Sequence, residues 1–197
     1  MRALIRTYKN FRLPRDARND GRVMILKLKP AHIQTTADDH RIAKLAAFAI
    51  ALHMVEAVIP SPLPGVKPGI ANIVTLYVLY QYGFATAAWV SILRVFASSL
   101  LLGQFLSPTF ALSLSGAILS LAALWLAMRL PKKYFSTVGL SILAAFAHIA
   151  GQLLVVRLWL IPHAGVSYLI PIFGLAALFF GLINGIITMK LLTNKSQ

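Results

Sequence analysis

After Glu56 the chain contains no aspartate or glutamate, and the same stretch is built almost entirely from long apolar runs with short breaks between them. Soluble domains keep roughly a quarter of their residues charged to hold their surface in water. Here 12% are charged, 58% are hydrophobic, and the mean hydropathy is +0.76. Such a chain can fold only where its exterior meets hydrocarbon, so the sequence reads as an all-α integral membrane protein. The runs are Arg41–Ile59, Gly69–Tyr82, Phe84–Gly103, Thr109–Met128, Phe135–Ile161 and Tyr168–Leu192. A helix needs about 20 residues to cross the bilayer core. The second run has 14 and is expected to tilt little or be shielded by its neighbours.

The breaks give the topology. Between the first two runs lies V-E-A-V-I-P-S-P-L-P-G-V-K-P-G-I-A-N-I, where Pro60, Pro62, Pro64 and Pro68 cannot continue a helix. This predicts a stiff loop, either a well-made turn or one that faces a ligand. The other connections are short, so successive helices should be antiparallel neighbours. With six helices, Arg2–Lys44, Arg129, Lys132, Lys133, Lys190 and Lys195 fall on one side, and Lys67 is the one loop cation opposite. Basic residues mark the cytoplasmic side, which places both termini in the cytoplasm and the proline-rich loop outside.

The organisation expected is a basic, disordered cytoplasmic tail over residues 1–40, a six-helix membrane domain over 41–192, and a short cytoplasmic tail over 193–197. The net charge of +14 is concentrated beside the first helix, which fits anionic lipid rather than nucleic acid. No cleavable signal peptide is expected, since apolar sequence begins only after forty mostly polar residues, and Met24 is an alternative start. There is no cysteine, hence no disulfide and no thiolate chemistry.

The polar residues within the runs are few. Arg94 lies mid-run, where facing lipid would cost at least ~2.5–3.5 kcal/mol, so it must face the interior, a cavity or a partner. Glu56 is the carboxylate available to neutralise it, and either this pair or a bound anion would satisfy the arginine. Together Glu56, Lys67, Arg94 and Arg157 sum to +2 on the outward half, a surplus suited to a carboxylate or phosphate. Arg157, near an outer helix end, can equally snorkel to the interface. His53 shares a helix face with Glu56, and His148 and Gln152 are four apart on another helix. Asn72 and Asn184 read as interhelical hydrogen bonds, or as ligand contacts if they line one cavity. The candidate ligand-binding set is Glu56, Lys67, Asn72, Arg94, His148 and Gln152. The histidines are too scattered for a metal site.

Small residues recur at Ala43, Ala47 and Ala51, with Ala46 and Ala49 nearby, and at Gly181 and Gly185. Such faces let helices approach closely in lipid. The glycine pair reads as packing within the bundle.

The segments V-E-A-V-I-P-S-P-L-P-G-V-K-P-G-I-A-N-I-V-T-L, S-I-L-R-V-F-A-S-S-L-L-L-G, L-S-P-T-F-A-L-S-L-S-G and A-H-I-A-G-Q-L-L-V resemble the bacterial membrane proteins known as Gx transporters, also called heptaprenyl diphosphate synthase component I. The resemblance spans about residues 41–192. That family is in turn similar to the substrate-binding S components of energy-coupling-factor (ECF) transporters. The resemblance implies six helices, an external covering loop at Pro60–Pro68, and a helix-one stripe of Ala43, Ala47 and Ala51 that docks on a coupling subunit. It also implies a bacterial cytoplasmic membrane location and separate ATPase partners, since the chain has no Walker motif.

The synthase name is hard to reconcile with catalysis by this chain alone. Prenyl elongation needs clustered aspartates to hold Mg²⁺ against a diphosphate, and the sequence offers Asp38 and Asp39 in the tail and Glu56 in the bundle. No flavin attachment motif or haem ligand pair occurs, so no cofactor is expected. The reading is a non-enzymatic, substrate-binding membrane subunit for a small anionic solute. The alternative is a non-catalytic membrane subunit of a prenyl- or quinone-linked biosynthetic complex or a flavin-dependent electron-transfer complex.

Overall fold

The computed structural model describes residues 37–58, 69–131, 135–161 and 164–194, and among these residues all regular structure is helical. There are six α-helices: α1 (Ala37–Val58), α2 (Asn72–Tyr82), α3 (Phe84–Leu101), α4 (Pro108–Met128), α5 (Thr137–Val155) and α6 (Ile170–Asn194). A π-helical turn, Val156–Leu160, prolongs α5, and a 3-10 helix, Ala164–Leu169, leads into α6. Each apolar run thus carries one helix. The prolines Pro60, Pro62, Pro64 and Pro68, and Lys67 among them, lie outside the described residues, as do residues 1–36.

Local chemistry sets the boundaries. Ser107 accepts the amide N–H of Phe110 at 3.3 Å and Pro108 follows it at the first helical position, which starts α4. Ser136 caps α5 in the same way through Gly139 at 3.0 Å. Gly83, at φ 85°, makes the tight turn between α2 and α3. The second helix begins three residues later than its apolar run. Gly69 is at φ 80°, and the amides of Asn72 and Ile73 donate to the carbonyls of Gly69 and Ile70, so a turn precedes the helix.

That leaves α2 with 11 residues, about 16 Å and half a bilayer core. It is buried on nearly every side: Asn72, Ile73, Val74, Thr75, Leu76, Val78 and Leu79 are all enclosed. Around it the core gathers Ala46 and Ala49 of α1, Ala87 and Val90 of α3, Leu124 of α4 and Ala144 of α5.

Tightest packing occurs along α5, which lies between α4 and α6. A Cβ on Gly151 would sit 2.6 Å from the Ser115 carbonyl oxygen, one on Gly181 2.9 Å from Ile142 Cα, and one on Gly185 2.7 Å from Val138 Cα. Backbone meets backbone at these points, so Gly181 and Gly185 are packing residues within the bundle.

The exterior is apolar. Trp89, Leu101, Trp125, Leu158, Trp159, Leu175 and Phe179 are exposed among many other large hydrophobic side chains. Four stretches, Phe84–Leu101, Pro108–Met128, Thr137–Leu160 and Gly165–Asn194, are long and apolar enough to cross a membrane. Arg129, Arg157 and Lys190 are exposed towards helix ends, with the Arg129 guanidinium 3.6 Å above the Trp125 ring. A surface of this kind belongs in lipid: the protein is a membrane protein. α2 is too short to cross alone, and α1 carries Asp38, Asp39, Arg41, Lys44 and Glu56.

Candidate functional site

The first turn ahead of α2 presents backbone N–H groups to the bundle interior with no preceding helical turn to accept them. Glu56 of α1 supplies the acceptor. Its Oε1 receives the N–H of Gly69 and the N–H of Ile70, the latter at 2.9 Å. The carboxylate is 2% exposed and sits at the positive end of the α2 dipole, the favourable end for an anion. Its neighbour on α1, His53, places Nδ1 3.9 Å from Oε2.

Arg94 of α3 is the largest fully buried side chain, at 1% exposure. Glu56 and Arg94 attract across the protein but lie beyond the 4.0 Å of an ion pair, so the direct pairing that the sequence left open does not form. Instead Arg94 Nη2 donates to Asn72 Oδ1 at 3.3 Å, while Nε and Nη1 have no hydrogen-bond partner. Glu56, engaged by the backbone, attracts the guanidinium only from a distance and makes no direct bond to it.

Gly69 ties the remaining residues together. Asn184 of α6 donates through Nδ2 to the Gly69 carbonyl at 3.1 Å. A Cβ on Gly69 would lie 3.1 Å from Asn72 Nδ2 and 3.5 Å from His148 Cδ2 of α5. His148 Nε2 and Gln152 Nε2 are 2.8 Å apart, and Gly116 of α4 makes room for the imidazole, which a Cβ there would approach at 2.8 Å. Side chains from α1, α2, α3, α5 and α6, with a glycine of α4, therefore meet around one turn. Depth follows from position, because Arg94, Gly116, His148 and Asn184 each lie well inside their helices. The cluster is at the middle of the bundle, and every side chain in it is at least nine-tenths buried.

Of the six candidate ligand residues, the structure brings together Glu56, Asn72, Arg94, His148 and Gln152; Lys67 and the proline-rich segment around it lie outside the described residues. The sequence alone does not assign the Gly69 and Ile70 amides or Gly116, and Asn184 reads in it as an interhelical hydrogen bond or a ligand contact. The unusually short second run was the signal for the amides, because a helix that starts at mid-depth exposes its first N–H groups there. Ala43, Ala47 and Ala51 are exposed on α1, whereas Ala46 and Ala49 are buried.

Described residues line at least two cavities. One, of about 270 Å³, is apolar and lies among Leu79, Tyr80, Ala127, Met128, Leu130, Phe135 and Leu140. Another is hardly larger than a water and adjoins His53, Ser98, Ser99 and Ser113. No cluster of three His, Asp or Glu residues forms a metal site among the described residues.

Neither the curated proteins nor the solved structures contain a match to this sequence. A family profile does match, over residues 45–191, which includes every residue of the buried cluster. By that match the chain belongs to the heptaprenyl diphosphate synthase component I family.

Proposed function

We propose that the chain is the substrate-binding membrane subunit of a transporter, similar in role to ECF S components, and that its solute is a small anion held at the central cluster. One observation carries this reading: a buried arginine with two unpartnered nitrogens, whose one nearby carboxylate is already engaged by backbone amides. A buried cation with no directly bonded counter-charge is costly, and an oxyanion that accepts from the guanidinium removes that cost. On this reading α1 and α2 complete six crossings of a bacterial inner membrane, with both termini in the cytoplasm. The chain is not itself an enzyme, and coupling and ATPase subunits drive release of the solute.

Mass spectrometry of small molecules that copurify with the detergent-extracted protein, on wild type and Arg94→Gln, tests it. The expected result is an anionic species present with wild type and absent from the variant at equal protein yield. The same species on both proteins would overturn the reading.

A second reading rests on the family description, which names a component of a synthase. Here the chain is a non-catalytic membrane subunit of a prenyl- or quinone-linked complex, and Arg94 serves only the fold. Arg94→Gln would then impair assembly with the partner and leave the copurifying small molecules unchanged.

A further inference from the structure

The cluster holds more information about its ligand than a charge. Arginine only donates, so Asn72 must turn its Oδ1 to Arg94 and its Nδ2 away. A carbonyl only accepts, so Asn184 must turn its Nδ2 to Gly69 and its Oδ1 away. Both amide orientations are thereby fixed by chemistry. On these three side chains, which are 1%, 4% and 1% exposed, the atoms left without partners are Arg94 Nε and Nη1, Asn72 Nδ2 and Asn184 Oδ1. Three are donors and one is an acceptor, and Asn72 and Asn184 both border the same residue, Gly69.

We infer that the solute is an oxyanion that also bears a hydrogen-bond donor, of the hydroxy-acid or amino-acid type, its oxyanion facing Arg94 and Asn72 Nδ2 and its donor facing Asn184 Oδ1. This rests on the anion-binding reading above and adds to it. A bare anion would satisfy the arginine and leave Asn184 Oδ1 buried and unpaired. A site built to pair a ligand hydroxyl or amine discriminates strongly against the analogue that lacks it, because the site's own polar atom is then stranded. Asn184 is thus a specificity-determining residue, and Arg94 supplies affinity.

The test is thermal stabilisation of the purified full-length protein by paired probes, each at about 10 mM, where stabilisation reports affinity by mass action. The pairs differ in the donor beside the acid: a neutral hydroxyl in lactate against propionate, which isolates the donor, and an ammonium, which also adds a positive charge, in alanine against propionate and phosphoserine against phosphopropionate. Wild type should favour the donor-bearing member by about tenfold or more in apparent affinity. In Asn184→Leu the preference should fall to about twofold or less, while binding still depends on Arg94. Equal stabilisation by both members of each pair in wild type would overturn the donor inference and leave the anion reading standing. No stabilisation of wild type by any member would sink the anion reading itself. The wild-type comparison decides the inference even if Asn184→Leu does not fold.

Discussion

Glu56 and Arg94 are opposite charges buried in one small region, and the structure gives them different work. Glu56 accepts two backbone N–H groups that would otherwise be stranded at the start of α2. Glu56→Ala strands both, and each buried, unpaired donor costs about 1–3 kcal/mol. Arg94 has a single 3.3 Å bond to Asn72 and two nitrogens without partners, so Arg94→Met removes a poorly compensated buried charge. Thermal unfolding in detergent, without added solute, should show Glu56→Ala less stable than wild type by about 2–6 kcal/mol and Arg94→Met within about 1 kcal/mol of it or more stable. The reverse ranking would mean that Arg94 is a structural residue. That Arg94 avoids lipid was legible in the sequence, since a charge in the middle of an apolar run must do so, and Glu56 was the carboxylate available to it. The partners of the two were not legible. Glu56 binds main-chain amides, which every residue has and which become a target only once Gly69 adopts its positive φ.

At the level of elements, the hydrophobic runs gave the six helices because a membrane helix must be apolar along its length. Boundaries moved where capping decided them: Ser107 and Ser136 at the starts of α4 and α5, and Gly69 ahead of α2. Close approach was only partly readable. Gly181 and Gly185 are four apart and announce one face, whereas Gly116 and Gly151 lie on different helices, opposite His148 and Ser115, and nothing local in the sequence joins them. Substitution separates packing glycines from neutral ones. Gly185→Ala drives a Cβ to 2.7 Å from Val138 Cα, where backbone must shift, and should destabilise the bundle by about 1–3 kcal/mol. Gly174→Ala meets nothing nearer than 3.8 Å and should be neutral, or stabilising by up to about 1 kcal/mol through helix propensity. Equal melting temperatures for the two variants would show that α5 and α6 are packed more loosely than these distances require.

Across the whole molecule, the buried cluster and the exterior of α1 pose different questions, one about a solute and one about a partner. The lipid-facing surface elsewhere is rich in large side chains such as Trp89, Leu158, Leu175 and Phe179, with single exposed alanines such as Ala85, Ala122 and Ala150. On α1, Ala43, Ala47 and Ala51 are exposed in a line, and small residues on an outer face permit another helix to come close where lipid gains little from them. Ala49, two residues from Ala47, is completely buried in the core and supplies the contrast. Ala49→Trp must disrupt folding, while Ala47→Trp adds bulk outside the bundle and should leave yield and melting temperature near wild type. If the stripe docks on a coupling subunit, that bulk costs the interface about 1–3 kcal/mol, so capture of the partner from solubilised membranes should fall by about tenfold or more. Full capture by Ala47→Trp at wild-type yield would remove the stripe from the interface. Failure of Ala47→Trp to accumulate, like Ala49→Trp, would place the stripe against another helix of the same chain and leave docking to a different face.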